Sequence, residues 1–157
     1  MKTPENEVGA CAAPSTLAPS ELPLDRNQGA IPPRDLVRIL EDRGPELLRR
    51  CPDARPLQAV LAKRLAVDPD NILVTAGGVE AIDRVCRAFL APEKELILPE
   101  PTFEMLARFA GLSGAAILSV PWPGGSFPLE KVLDRVGPNT AMIAVVSPNN
   151  PTGAVCT

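Results

Sequence analysis

From Ile72 onward the chain alternates short apolar runs with amphipathic stretches of helical period, and this alternation constrains the fold more than any other feature. Strands separated by helices form βα units, and βα units pair into a largely parallel sheet. The sharpest run spans residues 140–147, where Ala141, Met142, Ile143, Ala144, Val145 and Val146 are apolar in succession. Such a run predicts a strand buried on both faces, in a sheet covered by helices on two sides. Shorter strands are expected at residues 72–75, 95–98 and 115–120. Helices are expected at 102–112, at 129–136, and after Gly77-Gly78, where Val79, Ile82, Val85, Cys86, Phe89 and Leu90 share a face and Asp83 pairs with Arg87 at i, i+4.

The part before Ile72 has a different texture. Residues 1–22 are rich in Pro, Ala, Ser, Thr and Glu without periodicity and read as a disordered arm. Residues 23–66 read as a helical N-terminal segment. In it Leu36, Val37, Ile39 and Leu40 make one helix that Gly44-Pro45 stops. A helical turn is expected at 46–50, and Leu57, Val60, Leu61 and Leu65 mark a second helix over 56–66. Asp68-Pro69-Asp70-Asn71 is a turn.

Composition narrows the chemistry. The 16 basic and 19 acidic residues are interspersed and sum to a net charge of -3, so no basic footprint for nucleic acid is present. Histidine is absent, which removes the commonest general base and metal ligand. The four cysteines, Cys11, Cys51, Cys86 and Cys156, form no C-x-x-C pair, so no metal site is expected and a reducing cytoplasm suits them. No apolar run approaches the roughly 20 residues of a membrane span.

Two segments carry candidate chemistry. Thr75-Ala76-Gly77-Gly78-Val79-Glu80 joins an expected strand to an expected helix, and its free N–H groups and dipole favour an anion such as phosphate; the same glycines also suit an ordinary βα turn. Ser147-Pro148-Asn149-Asn150-Pro151-Thr152-Gly153 lies at the carboxyl end of the 140–147 strand, where open α/β sheets bind ligands. An asparagine there can donate to a ring oxygen, although Asn, Pro and Gly are also ordinary turn residues.

The heptapeptide as a whole resembles the strand-end loop of fold-type-I aminotransferases, above all the histidinol-phosphate aminotransferase branch, which reads N-N-P-T-G. Leu24-Asp25-Arg26-Asn27-Gln28-Gly29, Arg50-Cys51-Pro52-Asp53, Gly77-Gly78-Val79-Glu80-Ala81-Ile82 and Pro101-Thr102-Phe103-Glu104-Met105 are similar to further family segments in the same order. The resemblance implies an α/β fold, an incomplete three-layer large domain with a mainly parallel sheet, residues 67–157 being its first part. It implies pyridoxal 5′-phosphate as cofactor, amino-acid and 2-oxo-acid substrates, and a homodimer.

Carried over by position, Gly78 and Val79 offer backbone N–H groups to the cofactor phosphate, Phe103 stacks on the pyridine ring, and Asn150 donates to its phenolic oxygen. Taken without the motif, Phe103 also suits a core position beside Leu106 and Phe109. Phe103 and Cys51 stand where the family has tyrosine, so one hydroxyl donor near the ring and one donor to the partner's phosphate are weakened or lost. Asn27 and Gln28 fall near the substrate entrance or in a solvated turn. The family's cofactor-binding lysine, pyridinium-binding aspartate and substrate-binding arginine all follow the N-N-P-T-G loop, so none is expected among these residues. A chain ending ten residues after the 140–147 strand therefore reads as truncated and inactive alone.

The family's strand order places 95–98 between 115–120 and 140–147, leaves 72–75 without a neighbour and puts Ile143 and Val145 beside an open edge. Two other functions stay in view: a pyridoxal-phosphate-dependent decarboxylase on the same scaffold, and a non-catalytic binding fragment.

Overall fold

The computed structural model describes residues 33–157, which fall into two units parting between Pro52 and Asp53. In the first unit, α1 (Arg34–Asp42) starts behind Pro33, whose fixed φ suits a helix start. It ends before Gly44, which takes the left-handed φ of 69°. A single turn, α2 (Glu46–Arg49), follows. Leu36, Val37 and Ile39 are exposed, so the apolar stripe anticipated for α1 forms but is not covered.

The second unit begins with α3 (Arg55–Leu65). Asp53 accepts from the Arg55 backbone N–H at 3.0 Å and from its guanidinium at 2.8 Å, and these bonds hold its carboxyl down at about 2. The helix closes on Ala66 in the left-handed region, with Val67 N–H returning to the Ala62 carbonyl. A short 3-10 turn, Pro69–Asn71, is capped by the Asp68 carboxylate.

Residues 72–75, expected as a strand, form no ladder. A strand needs a neighbouring strand for its backbone groups, and among the described residues this segment has none: the Gln58 amide donates to the Ile72 carbonyl at 2.9 Å, and the segment's other backbone bonds are local turns.

Helix α4 (Gly77–Phe89) carries the anticipated Asp83–Arg87 pair at 2.8 Å. It leads to β1 (Glu95–Glu100), whose residues Leu96 to Pro99 are all buried. Then come α5 (Met105–Leu112), β2 (Ala116–Pro121), α6 (Leu129–Leu133) and β3 (Thr140–Ile143). The sheet is parallel with order β2-β1-β3, as the resemblance implied, and Leu96 stands between Ile117 and Met142. Cys86, Leu90, Leu96, Leu98, Leu106 and Ala110 pack on one face of β1. Ile97, Val120 and Val132 pack on the other, so helices cover both faces and the expected three-layer α/β architecture is present.

Three expectations need correction. The 140–147 run is not a strand buried on both faces: β3 has four residues, and beyond it only Ala144 N–H bonds back to the Ile97 carbonyl. The open edge that the family's strand order implied is there among the described residues, and Ile143 and Val145 beside it are 41% and 43% exposed. The helix expected at 102–112 starts three residues later, at Met105, and the Thr102 side chain makes a tertiary hydrogen bond instead. The helix expected over 129–136 is five residues long and unwinds through single turns into Gly137. Among the described residues no helix is long and apolar enough to cross a membrane.

Candidate functional site

The parallel strands direct the loops after β1 and β3 to the same end of the sheet, and the two loops meet there. Asn149 is 3% exposed and sits at the junction. Its Oδ1 accepts from the Thr102 hydroxyl at 2.8 Å, and its Nδ2 donates to the Pro101 carbonyl at 2.8 Å and to Thr152 Oγ1 at 2.9 Å. The backbone of Asn149 closes its own loop: its N–H reaches the Ala154 carbonyl at 2.7 Å and its carbonyl accepts from Gly153 at 2.6 Å. Pro101 has no N–H but its carbonyl accepts, so only the amide orientation with Nδ2 towards it satisfies every partner.

Phe103 and Asn150 adjoin these anchored residues. Phe103 is half-buried and lies in neither core cluster, whereas Leu106 and Phe109, its possible core neighbours by sequence, pack on β1 with α4. Asn150 is exposed, and its amide makes no hydrogen bond among the described residues.

The start of α4 faces this end of the sheet as well. Ala81, Ile82 and Cys86 of α4 line an apolar cleft of about 470 Å³ with Met142, Val146 and Ser147; Gly78, Val79, Phe103 and Asn150 lie outside its lining. Gly77 takes the left-handed φ of 81° that the turn requires, its N–H bonded to the Thr75 carbonyl at 2.9 Å. Gly78 is different. Its φ is ordinary, and a Cβ there would meet nothing within 4 Å, so the protein's own packing does not call for glycine. As early helix positions, Gly78 and Val79 keep N–H groups without intrahelical partners. Glu80 takes the Ala76 N–H, which with Arg84 lowers its pKa, and the Arg84 guanidinium at 2.6 Å balances its charge beside the helix start.

These groups suit one kind of ligand: an anion for the helix start, a flat ring for Phe103, and an acceptor oxygen for Asn150. The lysines lie elsewhere. Lys63 is on α3, Lys131 on α6, and Lys94 in the turn before β1, at the opposite end of that strand; all three are exposed. Cys51 is exposed in the first unit. Asn27 and Gln28 lie outside the described residues, as do the expected arm and Lys2.

Sequence reasoning gave Asn149, Thr102 and Thr152 no role.

The family model described as aminotransferase class I and II matches residues 49–157. A histidinol-phosphate aminotransferase of Granulibacter bethesdensis is 28% identical over 134 residues, covering 84% of this chain and 36% of that protein. The chain thus spans about a third of the length of that curated relative. Among solved structures, N-succinyldiaminopimelate aminotransferase from Mycobacterium tuberculosis superposes with a TM-score of 0.69 at 26% identity, over 80% of this chain and 36% of that one. L-threonine-O-3-phosphate decarboxylase from Porphyromonas gingivalis superposes at 0.62 over 79% of this chain and 36% of that one, but at 23% identity this shows the fold alone. The chain belongs to the class I and II aminotransferases, a family that depends on pyridoxal 5′-phosphate.

Proposed function

We propose that residues 67–157 are the first part of the cofactor-binding domain of an aminotransferase that exchanges an amino group between an amino acid and a 2-oxo acid. Histidinol phosphate, the compound in the relative's name, is the donor to try first. The observation that carries this reading is the joining of the Phe103 and Asn150 segments through Asn149 at the carboxyl ends of β1 and β3. When bound, the cofactor supplies a pyridine ring that withdraws electrons from bonds at the substrate's α-carbon.

The chain's own residues bind and orient. Gly78 and Val79 donate backbone N–H groups to the phosphate at a helix start that already favours negative charge. Phe103 offers a stacking face, and Asn150 donates to the phenolic oxygen. Calorimetric titration with pyridoxamine 5′-phosphate, which lacks the aldehyde and so cannot label stray lysines, tests the assignment. One saturable site is expected. Asn150→Ala should weaken it about tenfold, the value of one hydrogen bond to a charged or strongly polarised group. Equal affinity in the variant would remove Asn150 from the site.

The same proposal includes a homodimer in the longer protein, where Cys51 gives the partner's phosphate a weaker donor than tyrosine, and a reducing cytoplasm that suits the free thiols of Cys51, Cys86 and Cys156. The 157 residues alone do not transaminate, because the lysines described above are placed on exposed surfaces away from Asn150 and Phe103. Treatment with pyridoxal phosphate and borohydride, followed by peptide mapping, should label exposed lysines weakly and without preference. One lysine labelled stoichiometrically would overturn this. The decarboxylase reading rests on the fold alone and is not preferred.

A further inference from the structure

We infer that Asn149 is a positioning residue, a clasp that makes the Phe103 and Asn150 segments one surface. The inference rests on the cofactor assignments proposed above and adds a role for a residue that would not itself touch the ligand. Asn149 and Asn150 are neighbours with opposite fates: one buried with both amide hydrogens used, the other exposed with its amide free among the described residues. The buried amide spans 47 positions in sequence to reach Thr102 and 48 to reach Pro101, the two residues before Phe103.

The partners ask for a donor and an acceptor on one short side chain. Both the Pro101 carbonyl and the Thr102 hydroxyl must be met at once, one by a donor and the other by an acceptor 2.8 Å away. An aspartate would set a carboxylate against the Pro101 carbonyl, and an alanine would take away the side-chain partner of that part-buried carbonyl and of the Thr102 hydroxyl. Either change breaks the bond to Pro101, and alanine the bond from Thr102 as well, while leaving β1, β2 and β3, whose ladders do not involve Asn149, in place. The clasp therefore holds the orientation of the site rather than the fold.

Hydrogen exchange by mass spectrometry on the whole chain without ligand gives the first readout. Asn149→Ala and Asn149→Asp should each speed exchange together in peptides covering 100–105 and 147–154, while the β1–β2 ladder is unchanged. Thr102→Val should do the same more weakly, and add nothing in the Asn149→Ala background, because the two act through one link. With pyridoxamine 5′-phosphate as probe, Asn149→Ala should weaken binding about tenfold and move the bound probe's absorption band towards that of the free probe.

Unchanged exchange at 100–105 in both Asn149 variants overturns the clasp. Exchange that rises evenly over the whole chain also overturns it, since that is the mark of general destabilisation. If the two segments loosen together but neither Asn149→Ala nor Asn150→Ala alters probe affinity, the clasp stands and the cofactor assignment fails.

Discussion

Leu98→Ala is expected to lower the unfolding free energy of the second unit by roughly 3–5 kcal/mol, the upper range for deleting a buried leucine. Leu98 is fully buried in the middle strand and packs in the cluster of Cys86, Leu90, Leu106 and Ala110. The cost of such a deletion depends on whether the surroundings can close the cavity. Here β1 is held by β2 on one side and β3 on the other, so its backbone cannot follow the lost side chain inward. A domain is stable by only about 5–15 kcal/mol, so the variant should lose a large part of the unit's stability. Urea unfolding followed by the fluorescence of Trp122, the single tryptophan and 2% exposed, reads this directly. Leu112→Ala, 75% exposed at the end of α5, should change stability by less than about 0.5 kcal/mol and serves as the control. A Leu98→Ala loss below about 1 kcal/mol would mean that β1 is not the centre of the core.

Local patterns in the sequence reported on whatever the chain completes by itself. The helices at Arg34, Arg55 and Gly77, the Asp83–Arg87 pair and the middle strand depend on neighbours close in sequence or on strong apolar content, and all were legible. The order β2-β1-β3 came from family resemblance, because no spacing in a sequence states which strands lie side by side. Residues 72–75 and 144–147 misled for one shared reason: an apolar run declares that it can be buried, not that a partner is present to bury it. Their backbone groups find no ladder, and Val145 stays exposed. Within the candidate site, Gly78 and Asn150 were visible as motif residues. The linkage of Thr102 to Asn149 across 47 positions was not, since side-chain hydrogen bonds between distant loops leave no periodic trace.

Gly78→Pro is expected to weaken phosphate binding by roughly 10- to 150-fold while leaving the fold intact. Proline removes one N–H and nothing else the helix uses, because donors in the first turn have no intrahelical acceptor. Its ring is tolerated here on two counts: Gly78 has no positive φ, and a Cβ at this position meets nothing within 4 Å. Gly77, as the residue before the new proline, has no side chain to clash with it. The lost donor is worth about 1.5–3 kcal/mol when its partner is charged, which gives the stated range. Gly78→Ala separates the donor from the space around it. It keeps the N–H and restricts the unfolded chain, so it should stabilise the unit by about 0.4–1 kcal/mol. If the phosphate is held by the N–H alone, Gly78→Ala binds pyridoxamine 5′-phosphate as the parent does; if the phosphate presses against Cα, the same variant is more stable yet binds more weakly. Thermal unfolding and calorimetric titration on the three proteins distinguish these results. Full affinity in Gly78→Pro would show that the start of α4 does not hold the phosphate through Gly78.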